Sequence, residues 1–164
     1  MANVRDAPVG ETRGANERLE RVYREVGGRM WRSVFAFVGD PDVASDAVAE
    51  AFAQALRRGD VVRDPERWLW RAVFRIAAGE MAERRRRLPS VVEESYEMED
   101  PARELVAALQ RLSDRQRRCV VLHHAAGYPA REIAAILGST EGAVKVHLSR
   151  ARKRLRLMLE DDHG

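Results

Sequence analysis

The segment from Gly127 to Arg156, GYPAREIAAILGSTEGAVKVHLSRARKRLR, limits most narrowly what this chain can fold into. Two apolar stripes at helical spacing run through it. They consist of Ile133, Ala134 and Leu137, and then of Val144, Leu148, Ala151, Leu155 and Leu159. Between the stripes, Gly138 can adopt the positive φ of a sharp turn, and Thr140 can cap the following helix. The pattern predicts a helix-turn-helix.

The second helix of this pair has a basic outward face. When Val144 and Leu148 point inward, a set of mostly polar side chains points outward. These are Glu141, Lys145, Val146, Ser149, Arg150, Arg152 and Lys153. Such side chains can donate hydrogen bonds to phosphates and base edges. A solvated basic helix in an ordinary bundle is the alternative, but Ala134, four residues before Gly138, allows a close helix approach that favours DNA binding.

The chain is highly charged, with nearly balanced signs. Its 164 residues suit one domain of moderate size or two small ones, and 34% of them are charged. Lys and Arg number 29 against 26 Asp and Glu, so the distribution of charge matters more than its sum. Arginines cluster at 84–87 and at 150–156, whereas acidic residues cluster at 93–100.

Cysteine usage and hydropathy indicate a cytoplasmic protein. Cys119 is the only cysteine, which excludes an internal disulfide framework and fits a reducing compartment. No apolar run approaches the length of a membrane span, and residues 1–20 lack the apolar core of a signal peptide. A thiol or metal site could be suggested by Cys119 and His123, which lie one turn apart, together with His124. No second cysteine or further spaced histidine pair completes such a site. We interpret Cys119 as a small core residue and expect no metal, cofactor or catalytic residue.

The first part of the chain contains two helical patterns. Residues 1–15 are polar without periodicity and are expected to form a flexible tail. A helical pattern begins at Asn16, with a bend or break expected at Gly27-Gly28. In the next helix, Asp46 and Glu50 lie one turn apart, but no further ligand is placed to complete a metal or acid–base site. An acidic surface for a basic protein partner is the preferred interpretation, and a solvated face is the alternative.

The helix predicted to begin at Pro65 alternates aromatic and arginine side chains. Trp70, Arg71, Phe74 and Arg75 fall outside its main apolar stripe. Aromatic rings stack on unpaired bases while arginines hold phosphates, as a reader of melted single-stranded DNA requires. The alternative is that Trp70 and Phe74 belong to the core.

These patterns predict an all-α fold of two small helical domains. The first spans residues 16–88 and the second spans residues 102–160, where Leu105, Ala108, Leu109 and Leu112 are expected to point inward. Residues 89–101 are acidic and carry no helical stripe, so we interpret them as a flexible linker.

The chain from about residue 16 to 159 resembles the extracytoplasmic-function (ECF) group of bacterial RNA polymerase sigma factors. DVASDAVAEAFAQAL and PERWLWRAVFRIAAGEMAERRRR resemble sigma region 2. LQRLSDRQRRCVVLHHAAGYPAREIAAILGSTEGAVKVHLSRARKRL resembles region 4. The second match is more specific, because RLSDRQR, EIAAILG, and EGAVK followed by LSRAR keep the family's order and spacing. The length of the chain predicts that regions 1.1 and 3 are absent.

The resemblance implies a subunit that binds core RNA polymerase, directs it to a promoter and helps to open the DNA. Asp46 and Glu50 would dock on the clamp coiled coil of the largest subunit, and region 4 on the flap. The −10 contacts would be Trp70, Arg71, Phe74, Arg75, Arg84 and Arg85, and the −35 contacts Lys145, Val146, Ser149, Arg150, Arg152 and Lys153. The acidic linker would enter the RNA path of the polymerase. An anti-sigma factor is a further implied partner, and a small-molecule substrate is not.

This chain departs from the family pattern at several positions. Ser45 and Ala49 stand where the family often has Glu and Gln, and Arg75 stands where asparagine is common. Pro129 replaces the usual serine before the first helix of the turn motif. Val146 removes a hydrogen-bonding side chain from the recognition face, and an apolar contact with a thymine methyl is one option there.

Two other functions are alternatives for this sequence. A helix-turn-helix regulator of the two-component effector type would carry an α/β receiver domain with a phosphorylatable aspartate, but nothing before Pro101 alternates strand and helix. An enzyme with Cys119 as nucleophile and His123 as base is the third possibility.

Overall fold

The computed structural model describes residues 9–87, 100–161 and 164, and these ranges contain helices and no strand. The helices of the first half are α1 (Val9–Val38), α2 (Pro41–Arg58) and α3 (Pro65–Arg87), with a short 3-10 turn at Gly59–Val61. Those of the second half are α4 (Asp100–Gln110), α5 (Asp114–Val120), a π-helical turn (Val121–Ala125), α6 (Ala130–Leu137) and α7 (Glu141–Asp161). The all-α prediction is confirmed.

The predicted linker lies almost entirely outside the described residues. Residues 88–99 belong to that part of the chain, whereas Asp100 and Pro101 already begin α4. Of the predicted N-terminal tail, residues 1–8 also lie outside the described residues, but α1 begins at Val9, seven residues before Asn16. Ala15 is buried there, which gives the additional helical turns an apolar contact.

Helix α1 continues through Gly27 and Gly28, where the sequence suggested a bend or break. Gly27 is buried, and a Cβ atom added to it would lie 3.3 Å from the ring of Tyr23. That ring packs edge-on against Phe52 of α2, with centroids 5.2 Å apart. Packing between α1 and α2 therefore offsets the helix-propensity cost of about 1 kcal/mol for each glycine.

The turn from α1 to α2 is defined by caps. Gly39 has a φ of +74°, and the Asp40 carboxylate accepts hydrogen bonds from the backbone nitrogens of Asp42 (2.9 Å) and Val43 (3.1 Å). Pro41 occupies the first turn of α2, where no N–H is needed. These features fix the direction of α2, and with it the position of its acidic face.

The second half is organised around α5 and the helix-turn-helix. Ser113 and Gln116 form a capping box at the start of α5. The core of this half contains Cys119, Leu122, Ile133, Ile136, Val144 and Leu148, all buried. Leu105, predicted to point inward, is 45% exposed, whereas its predicted partners Ala108, Leu109 and Leu112 are buried. Residues 101–105 are all exposed, so the first half of α4 extends beyond the core, which explains that error.

The two halves pack against each other. Their buried apolar side chains form one contiguous cluster that extends from α1 and α3 into α5, the π-helical turn and α6. Polar contacts also cross between them: Arg29 Nη1 donates to the Ala126 carbonyl at 3.0 Å, and Gln110 Nε2 donates to the Phe37 carbonyl at 3.0 Å. In the described part of the chain, no helix has the length and apolarity needed to cross a membrane.

Candidate nucleic-acid interface

The helix-turn-helix forms as the sequence predicts. Gly138 ends α6 in the left-handed conformation, with a φ of +64°, and its N–H donates to the Ala134 carbonyl. Ser139 N also donates to that carbonyl, at 2.9 Å. Thr140 Oγ1 accepts a hydrogen bond from Ala143 N at 3.2 Å and so caps α7. These contacts set the angle between the two helices.

Replacing Gly138 by alanine is expected to lower the free energy of unfolding by about 1–2 kcal/mol. The strain lies in the backbone, because the nearest atom to an added Cβ is Arg71 Nη2 at 3.8 Å, an ordinary contact. A thermal melt should show a decrease in Tm of about 2–8 °C. Gly142→Ala is the matched control: it adds a methyl group in open space within α7 and should stabilise the protein slightly. Equal stability of the two variants would contradict the proposed strain.

The second helix of the helix-turn-helix, α7, has the predicted buried apolar face and exposed basic face. Val144, Leu148 and Ala151 are buried. The proposed −35 contacts are exposed, including Lys145, Ser149, Arg150, Arg152 and Lys153, and Val146 is 46% exposed. Lys145 Nζ lies 3.1 Å from Glu141 Oε1, one turn earlier, and this exposed ion pair contributes little to stability. The outward face is therefore available to a partner, and its contact with DNA stays a prediction.

The aromatic part of the predicted −10 surface is buried, which corrects the sequence-based interpretation. Trp70 and Phe74 are both 0% exposed and stack on each other with centroids 5.9 Å apart. Phe74 also packs edge-on against Phe37 of α1, and Trp70 Nε1 donates to the Tyr128 hydroxyl at 3.0 Å. Neither ring is accessible to a base in this conformation. Both residues belong to the core, which was the alternative interpretation of the sequence.

The arginines of the predicted −10 surface remain exposed but differ in their contacts. Arg71 donates to the carbonyls of Ile136 (2.5 Å) and Ala135 (2.9 Å), the end of α6. Arg75 Nη2 donates to Gln54 Oε1 at 3.4 Å. Arg84 pairs with Asp40, while Arg85 is exposed on the last turn of α3. The structure thus leaves a basic face on α3 next to a buried aromatic one.

The predicted docking residues lie on an acidic surface shared by α2 and α3. Asp46 is exposed, and Glu50 Oε1 accepts hydrogen bonds from Gln54 Nε2 (2.9 Å) and Arg57 Nη2 (3.0 Å). These hydrogen bonds, that of Gln54 first, lower the pKa of the Glu50 carboxyl.

Sequence reasoning missed Glu80 of α3, which extends this acidic surface. Burial, and then the charge of Asp46, raise the pKa of Glu80. The helical period alone does not predict that Glu80 lies near Asp46, because the two residues come together only when α3 packs against α2.

Cys119 is a buried core residue, as predicted. Burial raises its pKa to about 11, so the thiol stays protonated and is a poor nucleophile. His123 Nδ1 lies 2.8 Å from the Tyr128 carbonyl oxygen and donates a hydrogen bond to it when Nδ1 carries the proton. No group of three or more His, Cys, Asp or Glu side chains that could hold a metal ion occurs within residues 9–87 and 100–161.

Comparisons with known proteins show what this chain is similar to. A family model described as "Sigma-70, region 4" matches residues 102–155. The chain is 28% identical to the ECF RNA polymerase sigma factor BldN of Streptomyces coelicolor, over 99% of this chain and 66% of that relative. It is also 28% identical to the ECF RNA polymerase sigma factor SigL of Mycobacterium tuberculosis, over 98% of this chain and 97% of that relative. Over nearly its whole length the chain is thus similar to ECF sigma factors, and residues 102–155 match the region 4 model.

The fold of the chain also resembles that of a solved structure. The sigma factor RpoE of Bartonella quintana, in complex with the anti-sigma factor NepR, has a TM-score of 0.69 and 23% identity, covering 88% of this chain and 98% of that one. The region 4 match contains α5, the helix-turn-helix and most of α7. The alternative of a two-component effector regulator is not favoured.

Proposed function

We propose that this chain is an ECF sigma factor, which binds core RNA polymerase, directs it to promoters and promotes transcription initiation. The observation that carries the proposal is the exposed basic face of α7, held by a complete helix-turn-helix within the region 4 match. It acts without catalytic residues of its own, in the cytoplasm.

The two halves would divide promoter recognition between them. On α7, the −35 contacts would be Lys145, Val146, Ser149, Arg150, Arg152 and Lys153. Val146 offers its methyl groups to a thymine methyl, whereas the arginines and lysines can donate to guanine or to phosphates. On α3, exposed Arg71, Arg75, Arg84 and Arg85 would hold the backbone of the −10 element. Trp70 and Phe74 could stack on bases only after the protein rearranges, because both are buried.

The acidic surface of α2 and α3 would dock on the polymerase. Asp46 and Glu50 would face the clamp coiled coil of the largest subunit, and region 4 would contact the flap. The carboxylates of this surface would contact basic side chains of the polymerase, and Glu80 adds a further acidic group to it. An anti-sigma factor is a further proposed partner, supported by the RpoE–NepR complex named above.

Charge reversal at Asp46 tests the docking surface. Asp46→Lys should weaken association with core RNA polymerase by about 10-fold or more, because a lysine would repel the basic partner surface. Fluorescence titration of labelled protein with core enzyme measures the change. Glu17→Lys, on an exposed acid near the start of α1, is the matched control and should bind like the wild type. If both variants bound core enzyme equally weakly, the loss would not be specific to Asp46, and the docking surface proposed on α2 would be contradicted.

A further inference from the structure

Gly142, in the first turn of α7, is a glycine that the fold of this protein does not require. It has helical backbone geometry, unlike Gly138, whose φ is +64°. A Cβ atom added to Gly142 would meet no neighbouring atom of the described residues within 4 Å. Glycine is less favourable than alanine in a helix, because it loses more backbone freedom on folding. Neither backbone geometry nor packing within the protein therefore accounts for this residue.

Gly142 lies near the centre of the outward face of α7. Successive residues of an α-helix point about 100° apart, because one turn holds about 3.6 residues. The buried side chains of Val144, Leu148 and Ala151 define the inward direction. The opposite direction is shared by exposed residues that are four, three and four positions apart. These are Gly142, Val146, Ser149 and Lys153.

Short side chains follow Gly142 along this line. The side chains of Val146 and Ser149 extend only a little beyond the backbone, so they contact base edges only when the helix lies close to the base pairs. An α-helix with its side chains is about 10–12 Å across, and the major groove of DNA is about 12 Å wide. The length of the side chains on this line therefore limits how deeply α7 can enter the groove.

Long cationic side chains lie on both sides of the same line. Lys145 and Arg150 are exposed and point about 140° apart, with the direction of Gly142 between them. Side chains of this kind can reach phosphates at the edges of a groove. In helix-turn-helix proteins, the N-terminal residues of the second helix contact base edges. A side chain at position 142 would therefore point towards the bases and hold α7 away from them.

We infer that Gly142 is a specificity-determining residue: without a side chain there, the first turn of α7 comes close enough to the base edges for Val146 and Ser149 to contact them. This inference rests on the proposed function of α7 as the reader of the −35 element. A methyl group at position 142 would separate the short side chains from the bases. The lysines and arginines of α7 are long enough to contact phosphates from that greater distance, so binding that does not depend on sequence would persist.

Gly142→Ala tests this role, because it should affect DNA recognition and stability differently. The full chain, in complex with core RNA polymerase, is titrated into two labelled promoter duplexes that differ only in the −35 motif, intact in one and scrambled in the other. Fluorescence anisotropy gives the Kd for each duplex, and thermal melts of the free proteins give Tm. Gly28→Ala is the matched control: Gly28 is exposed on α1, and the nearest atom to an added Cβ is Arg32 Nη1 at 3.6 Å, an ordinary contact.

Gly142→Ala should bind the intact promoter about 10-fold more weakly than the wild type, bind the scrambled promoter equally well, and melt at no lower temperature. The control should match the wild type on both duplexes. Wild-type affinity of Gly142→Ala for the intact promoter would overturn the inference, and so would an equal loss on both duplexes or a lower Tm. If the wild-type complex itself did not distinguish the two duplexes, the proposed −35 function would fail, and this inference with it.

Discussion

Trp70→Ala is expected to lower the free energy of unfolding by about 3–5 kcal/mol. The indole is fully buried, stacks on Phe74 and donates a hydrogen bond to Tyr128. Removing it leaves a large cavity and takes away one of the two hydrogen bonds of the Tyr128 hydroxyl, which still donates to Glu66. Differential scanning calorimetry should show a decrease in Tm of about 6–20 °C.

Trp68→Ala provides the comparison within the same helix. Trp68 is half-buried and has the Arg58 guanidinium over its ring, with Cζ 5.4 Å from the centroid. Its truncation should cost clearly less than that of Trp70, because less apolar surface returns to water. If the two variants were equally stable, Trp70 would not occupy the buried position described here.

The double variant Lys145→Ala/Arg150→Ala should lose about 100-fold or more in affinity for a duplex that contains the −35 element. Each contact of this kind contributes about 1–3 kcal/mol when it reads a base. Both side chains are exposed, and Lys145 pairs with Glu141 of the same helix, so the fold should be unaffected. Fluorescence anisotropy with a duplex from a mapped promoter, at two salt concentrations, measures the loss.

The pattern of that loss separates two roles for Arg150. A base contact would relax preference at one position, whereas a phosphate contact would weaken all sequences alike and reduce the salt slope by about 1. Arg21→Ala, an exposed arginine of α1, is the control and should bind as the wild type does. Wild-type affinity in the double variant, or an equal loss in the control, would exclude α7 as the reading surface.

Local patterns were sufficient to predict the helix-turn-helix. Gly138 and Thr140 act on their near neighbours through backbone geometry and capping, and the apolar stripe of α7 repeats at one period. The wide apolar surface of α3 was harder to interpret. A buried aromatic ring and one that stacks on a base look the same in sequence. Only the three-dimensional packing, with Phe37 of α1 on Phe74 and Tyr128 on Trp70, assigned both residues to the interior.

Contacts between distant parts of the chain could not be predicted from the sequence. Arg71 and the Ile136 carbonyl are 65 residues apart, and Tyr128 and Trp70 are 58 residues apart. No periodicity or spacing relates such pairs. Tyr128 gave no signal of its own, since a single tyrosine beside a proline is unremarkable as a sequence feature. The site was therefore predictable where one helix builds it and not where two halves meet.

The central claim is that this chain confers promoter specificity on core RNA polymerase. In vitro transcription of fragmented genomic DNA from the source organism, with core enzyme and this protein and with sequencing of transcript 5′ ends, tests it most directly. We predict new start sites preceded by two shared sequence motifs at a constant spacing, absent with core enzyme alone. Binding to core enzyme without any new start sites on genomic DNA would contradict the claim.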